Sequence, residues 1–130
     1  MILKANLILY VANQEQSTSF YTYTLGQSPN LNVPGMTEFH LSETVTLGLM
    51  PEAGIKRLLG ESLPDPSVGN GIPRAEVYLT VDDPQLYLQR ALEAGARQLD
   101  ALRNRGWGDE AGYCLDPDGH VLVFAKRSSS

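Results

Sequence analysis

The chain has 130 residues, of which 42% are hydrophobic and 19% charged, and its formal net charge is −5. That length suits one compact domain, and an acidic chain without a basic stripe is not expected to bind nucleic acid. No apolar run reaches the roughly 18 residues of a membrane span, so we expect a cytoplasmic protein with no membrane partner. Cys114 is the single cysteine, which excludes an internal disulfide, and we expect it to be a structural thiol.

The first half of the chain predicts a strand, a helix and two further strands. The residue types over Asn6–Val11 indicate a strand, and a short helix follows over Glu15–Tyr23. Gly26 suits the left-handed position that ends a helix. Two more strands are predicted over Met36–Leu41 and Val45–Met50, and Pro51 ends the second.

Residues 51–73 form a connector with a different composition. The segment holds four prolines and four glycines, which predicts irregular structure with one helical turn around Ile55–Leu59. Connectors longer than about 12–15 residues are usually functional or mobile.

The second half begins with a predicted strand over Ala75–Val81. Asp82-Asp83-Pro84 then signals a helix start, because acidic residues and an early proline suit the first turn. Ala94-Gly95 closes this helix, Arg97–Leu102 predicts a shorter strand, and Asn104–Asp109 a loop.

A β-hairpin is predicted at the end of the chain. Asp116-Pro117-Asp118-Gly119 is a turn sequence, in which proline presets one φ and glycine takes a positive one. The arms, Gly112–Leu115 and His120–Ala125, contain no proline, so we expect this hairpin inside a sheet. Residues 128–130 are predicted to be a frayed end.

The two halves are copies of one plan. Asn6–Asn13 aligns with Glu76–Asp83, 70 positions later, and the glycines that close the two helices follow at nearly the same offset. Each half reads strand, helix, strands.

With Trp107-Gly108, the aromatic strand, the Asp-Pro-Asp-Gly-His turn and the final apolar strand, this duplication resembles the vicinal-oxygen-chelate superfamily. That superfamily contains glyoxalase I, extradiol dioxygenases, fosfomycin-resistance proteins and bleomycin-resistance proteins, and the Trp-Gly placement is most similar to the last branch. The resemblance implies an α+β fold in which two βαβββ modules form a cupped, incomplete barrel. One domain would then span residues 1–130, with module 1 over 1–50, the connector over 51–73 and module 2 over 74–127. It also implies a homodimer.

The resemblance implies four metal-ligand positions, one in the first and one in the last strand of each module. They fall on Asn6, Gly48, Glu76 and Val123. One carboxylate and one amide are too few donors for a divalent ion, so we expect no metal and no cofactor. His120 is expected to cap the hairpin, and His40 to lie on the polar face of its strand.

Strand alternation and the resemblance together predict a pocket for a small molecule. The predicted ligand-binding residues are Tyr10, Thr46, Met50, Glu76, Tyr78, Trp107, Tyr113 and Val123. The alternative is that these side chains only fill a core. Glu76 is the one ionisable group expected inside, where it would act as a general acid or base, or pair with a ligand cation, Arg103 or Arg105.

These residues favour a metal-free protein that binds an apolar or aromatic small molecule. A cationic ligand is one form of this hypothesis. The second hypothesis is a lyase- or isomerase-type enzyme that uses Glu76 as its base or holds a displaced divalent metal. A third is a domain without a ligand, filled by its own connector.

Overall fold

The computed structural model describes residues 1–129, and the chain divides into two compact units. The first holds residues 1–22 and 26–70, and the second holds residues 23–25 and the chain from Gly71 onwards. Over the described residues, each unit contains one four-stranded mixed sheet. The predicted α+β class with two βαβββ modules is confirmed.

The first unit holds one sheet, most of the first helix and the helical segments of the connector. The sheet and the first helix comprise β1 (Ala5–Val11), α1 (Gln14–Leu25), β2 (Leu31–Val33), β3 (Met36–His40) and β4 (Val45–Pro51). The strand order is β1-β4-β3-β2, with β1 parallel to β4 and the other pairs antiparallel. The Asn13 side chain caps α1 by accepting from the Gln16 amide at 2.9 Å, and Gly26 ends it at φ +68°, as predicted.

Helix α1 covers one face of the first sheet. Phe39 of β3 is fully buried there, and its ring centroid lies 6.5 Å from that of Tyr21. The buried hydroxyl of Thr37 accepts a hydrogen bond from Gln14 Nε2 at 2.9 Å and bonds the Thr18 hydroxyl at 2.8 Å. Alternation of the strands leaves the predicted ligand-binding side chains on the opposite face.

The sequence underestimates regular structure around the connector. Helix α2 (Glu52–Leu59) replaces the single predicted turn, and 3-10 segments follow over Gly60–Ser62 and Pro66–Gly69. The buried Ile55 anchors α2, while Lys56 Nζ donates to the carbonyls of Gly60 at 2.9 Å and Leu63 at 2.5 Å. Strand β2 was not predicted, because its three exposed residues carry no alternating pattern.

The second unit repeats the plan of the first. Its elements are β5 (Glu76–Thr80), α3 (Pro84–Glu93), β6 (Arg97–Asn104), β7 (Asp109–Leu115) and β8 (Val121–Arg127). The order is β5-β8-β7-β6, so the β7–β8 hairpin occupies the two inner positions, as predicted. Helix α3 covers one face of this sheet, where the rings of Tyr87 and Phe124 lie 5.6 Å apart.

The hairpin turn is held by one carboxylate and one glycine. Asp116 Oδ1 accepts from the amides of Asp118 and His120, both at 2.9 Å, and Gly119 has φ +89°. A Cβ on Gly119 would lie 2.6 Å from the carbonyl oxygen of Gly71. The turn therefore needs glycine for its conformation and for close packing of backbone on backbone.

The end of the chain is more ordered than predicted over its described part. The Ser128 amide donates to the Gly108 carbonyl and its hydroxyl donates to Asn104 Oδ1, both at 2.9 Å. The prediction of a frayed end is therefore wrong at Ser128, and Ser130 lies outside the described residues. No helix among residues 1–129 combines the length and hydropathy needed to cross a membrane.

Replacing Gly119 by alanine should destabilise the protein more than the same change at Gly35. Both glycines have similar positive φ angles, +89° and +96°, but a Cβ at Gly35 meets nothing within 4 Å. Gly35→Ala should cost about 1–2 kcal/mol for the left-handed backbone alone. Gly119→Ala should cost about 1–3 kcal/mol more, because the Gly71 backbone must move. Urea unfolding of both variants measures the difference, and equal losses would contradict the packing argument.

Candidate functional site

Three aromatic side chains gather on the face of the second sheet that α3 leaves uncovered. In the strand register, Tyr78 of β5 and Tyr113 of β7 both lie beside Val123 of β8. Val123 forms a buried cluster with Ala111 and Ala125, and both tyrosine rings pack against that cluster. We call the surface formed by Tyr78, Trp107 and Tyr113 the aromatic face.

Trp107 reaches the aromatic face from the turn between β6 and β7. That turn is closed by backbone bonds from Arg105 N to Asp109 O at 2.7 Å and from Gly108 N to Arg105 O at 3.2 Å. Trp107 is 55% exposed, and its Nε1 donates to the Tyr78 hydroxyl at 2.9 Å. A large exposed ring with a satisfied polar end is typical of a partly wet binding surface.

Asp109 completes a chain of hydrogen bonds that the sequence did not predict. The Tyr78 hydroxyl donates to Asp109 Oδ2 at 2.6 Å. Burial raises the pKa of Tyr78, and the bond to Asp109 raises it further. Burial also raises the pKa of Tyr113, with the charge of Glu76 adding to the effect. Both tyrosines are therefore neutral hydroxyls at neutral pH.

The side chain of Arg105 fixes the turn that carries Trp107. It is only 11% exposed and lies 5.0 Å from the centroid of the Tyr113 ring, a cation–π distance. Its Nε and Nη2 donate to the Ala111 carbonyl at 3.0 and 2.7 Å, and Nη2 also donates to the Ala101 carbonyl at 3.0 Å. Its Nη1 donates to Asp100 Oδ2 at 2.8 Å.

The predicted pairing of Glu76 with Arg103 or Arg105 is wrong. Arg103 donates to the same Asp100 oxygen at 2.7 Å, and hydrogen bonding, from Arg105 above all, holds the pKa of Asp100 below its usual range. Glu76 begins β5, at one edge of the sheet, whereas β6 forms the other edge. Three strand intervals, about 14 Å, therefore separate the two strands.

The predicted burial of Glu76 is also wrong, since this residue is exposed. It stands at the end of an edge strand, where one backbone side and much of the side chain face solvent. Strand alternation predicts the face of the sheet on which Glu76 lies, but it does not predict how deeply the side chain is buried.

The prediction that Cys114 is a structural thiol is confirmed: the thiol is fully buried and its Sγ lies 3.6 Å from the Leu122 carbonyl oxygen. Burial raises its pKa to about 12.

The predicted residues of the first module lie on the face of the first sheet opposite α1. The parallel register sets Asn6 beside Thr46 and Tyr10 beside Met50. Thr46 is buried, Tyr10 and Met50 are half-buried, and Asn6 is exposed. His40, on the neighbouring strand, is exposed as predicted.

The profile of the Glyoxalase/Bleomycin resistance protein/Dioxygenase superfamily matches residues 5–124 of the chain. The chain belongs to this superfamily.

Solved structures with the superfamily fold superpose well on the chain. A glyoxalase-related enzyme from Fulvimarina pelagi matches with a TM-score of 0.79 and 20% identity, covering 95% of this chain and 86% of that one. A glyoxalase/bleomycin resistance protein from Catenulispora acidiphila matches with a TM-score of 0.67 and 19% identity, covering 97% and 99%. At these identities the likeness shows the shared fold.

A closer sequence match covers a shorter segment. An uncharacterized protein of Mycobacterium bovis is 44% identical over 61 residues, which are 47% of this chain and 39% of that protein. The chain therefore matches well under two thirds of that relative's length.

The residues predicted at metal-ligand positions do not fit a divalent ion. A Cβ on Gly48 would lie 3.1 Å from Ile8 Cγ1 and 3.3 Å from Met36 Sδ, so apolar atoms fill the space of a ligand side chain. Val123 is fully buried in the apolar cluster of the second sheet. Within residues 1–129, no three His, Cys, Asp or Glu side chains are grouped so that they could hold a metal.

A polar cavity of about 480 Å³ in the first unit was not predicted. The first turns of α1 line it with Gln14, Glu15, Thr18 and Ser19, and the segment Asn32–Pro34 forms its other wall. Gln14 ties the walls together, because its amide donates to the Val33 carbonyl at 2.8 Å and accepts from Gly35 N at 2.9 Å. No pattern in the sequence indicates this cavity, since the three residues of β2 do not alternate in polarity.

Arg105→Ala should destabilise the protein far more than Arg103→Ala, although both side chains contact Asp100. Removing Arg105 leaves the carbonyls of Ala101 and Ala111 without these donors, at a cost of about 2–4 kcal/mol. The Arg103 side chain is 66% exposed, so its loss should cost about 0.5 kcal/mol or less. Urea unfolding curves compare the two, and similar midpoints would show that Arg105 does not fix the turn.

Proposed function

We propose that this superfamily member is a metal-free protein that binds an apolar or aromatic small molecule, which can carry a positive charge. The aromatic face is the proposed binding surface. The exposed, hydrogen-bonded indole of Trp107 carries the proposal. Its ring is held in place before any ligand arrives, which lowers the entropy cost of stacking. Tyr78 and Tyr113 extend the same surface, and both rings pack against the buried cluster of Val123 and its neighbouring alanines.

The charges around the aromatic face favour a cation over an anion. The Glu76 carboxylate lies close enough to Tyr113 to raise the pKa of its hydroxyl, and Asp109 adjoins Tyr78. Arg105 is engaged by Asp100 and by backbone carbonyls, so its charge is already paired. A net charge of −5 adds a weak long-range attraction for cations.

The enzymatic alternatives have less support. A lyase or isomerase that uses Glu76 as its base depends on burial of that carboxylate, and Glu76 is exposed. A displaced metal site would need grouped donors, which the described residues do not supply. We therefore favour binding without a chemical step.

We also propose that two copies of the chain form a homodimer. β1 is an edge strand whose Leu7 and Ile8 are each 40% exposed, and such an edge favours pairing with another chain. Light scattering coupled to size-exclusion chromatography should give twice the chain mass of 14.2 kDa. A single-chain mass that persists at high concentration would contradict it.

The binding proposal can be tested by calorimetry with two probes of similar ring size and opposite charge. N-methylquinolinium should bind, and naphthalene-2-sulfonate should bind more weakly or not at all. Trp107→Ala should lower the affinity for the cation by about tenfold, since stacking and cation–π contacts of this kind are worth about 1–2 kcal/mol.

Tyr23→Ala is the matched control, because Tyr23 is an aromatic residue on α1 with 49% exposure. It should leave the affinity for N-methylquinolinium unchanged. Failure of the wild-type protein to bind either probe, or equal affinities for wild type and Trp107→Ala, would refute the assignment of the aromatic face.

A further inference from the structure

The hydrogen bonds of the aromatic face run in one direction and end on Asp109. Trp107 Nε1 donates to the Tyr78 hydroxyl at 2.9 Å, and that hydroxyl donates to Asp109 Oδ2 at 2.6 Å. An indole has one donor and a phenol has one, so both donors are used. The bond to the carboxylate is charge-assisted and is therefore the stronger of the two.

The sheet makes this chain of bonds possible by keeping side chains small beneath Tyr78. Tyr78 lies on β5 and Asp109 on β7, with β8 between them. The partner of Tyr78 on β8 is Val123 and that of Asp109 is Arg127, so the Tyr78 side chain must reach across β8 and also along it. Ala111 and Ala125 lie side by side in the buried cluster on which the ring rests. Larger residues at these positions would lift the hydroxyl away from Asp109.

The other charged neighbour of Asp109 cannot account for its placement. Arg127 Nη1 lies 3.9 Å from Asp109 Oδ1, and its side chain is 82% exposed. An ion pair of that length at the surface contributes little. The Asp109 side chain is itself only 18% exposed, and its short bond is the one to Tyr78.

We propose that Asp109 is a positioning residue: through Tyr78, its carboxylate fixes the indole of Trp107 and turns both ring donors away from an incoming ligand. The inference rests on the proposed function, in which Trp107 is the stacking surface. A ligand that stacks on Trp107 then meets ring faces and the Tyr78 oxygen, because the donors of both side chains are engaged. The Tyr113 hydroxyl is the one ring donor of the aromatic face outside this chain of bonds. The part of the face formed by Trp107 and Tyr78 therefore favours ligands that donate hydrogen bonds or carry positive charge over anionic acceptors.

The test uses the ligand-free protein, in which Trp107 is the sole tryptophan and gives a single indole N–H signal in a proton–nitrogen correlation spectrum. In Tyr78→Phe the indole proton loses its acceptor, so its exchange with solvent should rise about five- to tenfold and its signal should move upfield. Asp109→Asn should shift the signal in the same direction by a smaller amount, because a neutral amide holds the Tyr78 hydroxyl less firmly.

Glu110→Gln is the matched control, since it removes the same charge one residue along β7, from the opposite face of the sheet. It should leave the indole signal in place. Asp109→Ala also leaves the Tyr78 hydroxyl without its carboxylate acceptor, so it should move the indole signal in the same direction as Asp109→Asn. This second variant keeps the test decisive even where Asp109→Asn folds poorly.

An indole signal that is unchanged in Tyr78→Phe, or unchanged in both Asp109 variants, would overturn the proposal. So would an equal shift in Glu110→Gln. These measurements contain no ligand, so they are separate from the calorimetry. Absence of probe binding by the wild type would refute the proposed function and leave the positioning of Trp107 by Asp109 standing.

Discussion

The guanidinium of Arg105 is the interaction on which the aromatic face depends. Strand β6 pairs irregularly with β7, with register shifts between Gln98 and Asp100 and between Asp100 and Arg103. Arg105 adds to the backbone bonds of the following turn by donating to two carbonyls and to Asp100 while it lies on the ring of Tyr113. A planar cation with several donors suits this task, because it can bind backbone, carboxylate and ring together.

The two modules show how one plan accommodates different interiors. Gly48 of β4 and Val123 of β8 are counterparts in the two modules. Asn6 pairs with Thr46 and Glu76 pairs with Val121, and each counterpart lies two residues after that strand partner. Ile8 and Met36 fill the space above Gly48, whereas Val123 packs with two alanines beneath aromatic rings. The two residues predicted at metal-ligand positions, Gly48 and Val123, both pack against apolar atoms. In the second module, the buried cluster of Ala111, Val123 and Ala125 supports the rings of Tyr78 and Tyr113.

Local signals in the sequence predicted the helix ends, the terminal hairpin and the duplicated order of elements. Gly26, Pro84 and Asp116 each act within a few residues of their own position, so their roles can be read without the fold. The depth of Glu76 and the length of α2 could not be predicted in this way. Burial depends on which strand forms a sheet edge, and the length of α2 depends on the burial of Ile55, which the local pattern does not encode.

The sequence by itself determined the repeat, the inner position of the β7–β8 hairpin and the side of the second sheet on which Tyr78 lies. The α+β fold class and the sides of Tyr113 and Val123 followed from the sequence together with the resemblance. Strand parity and turn chemistry are local, and the repeat compares the chain only with itself. Only the tertiary structure decided the partners: Arg105 with Asp100, Trp107 with Tyr78, and Tyr78 with Asp109. Those contacts join residues from different strands and one turn. Their distances follow from strand order and register, which no local pattern encodes.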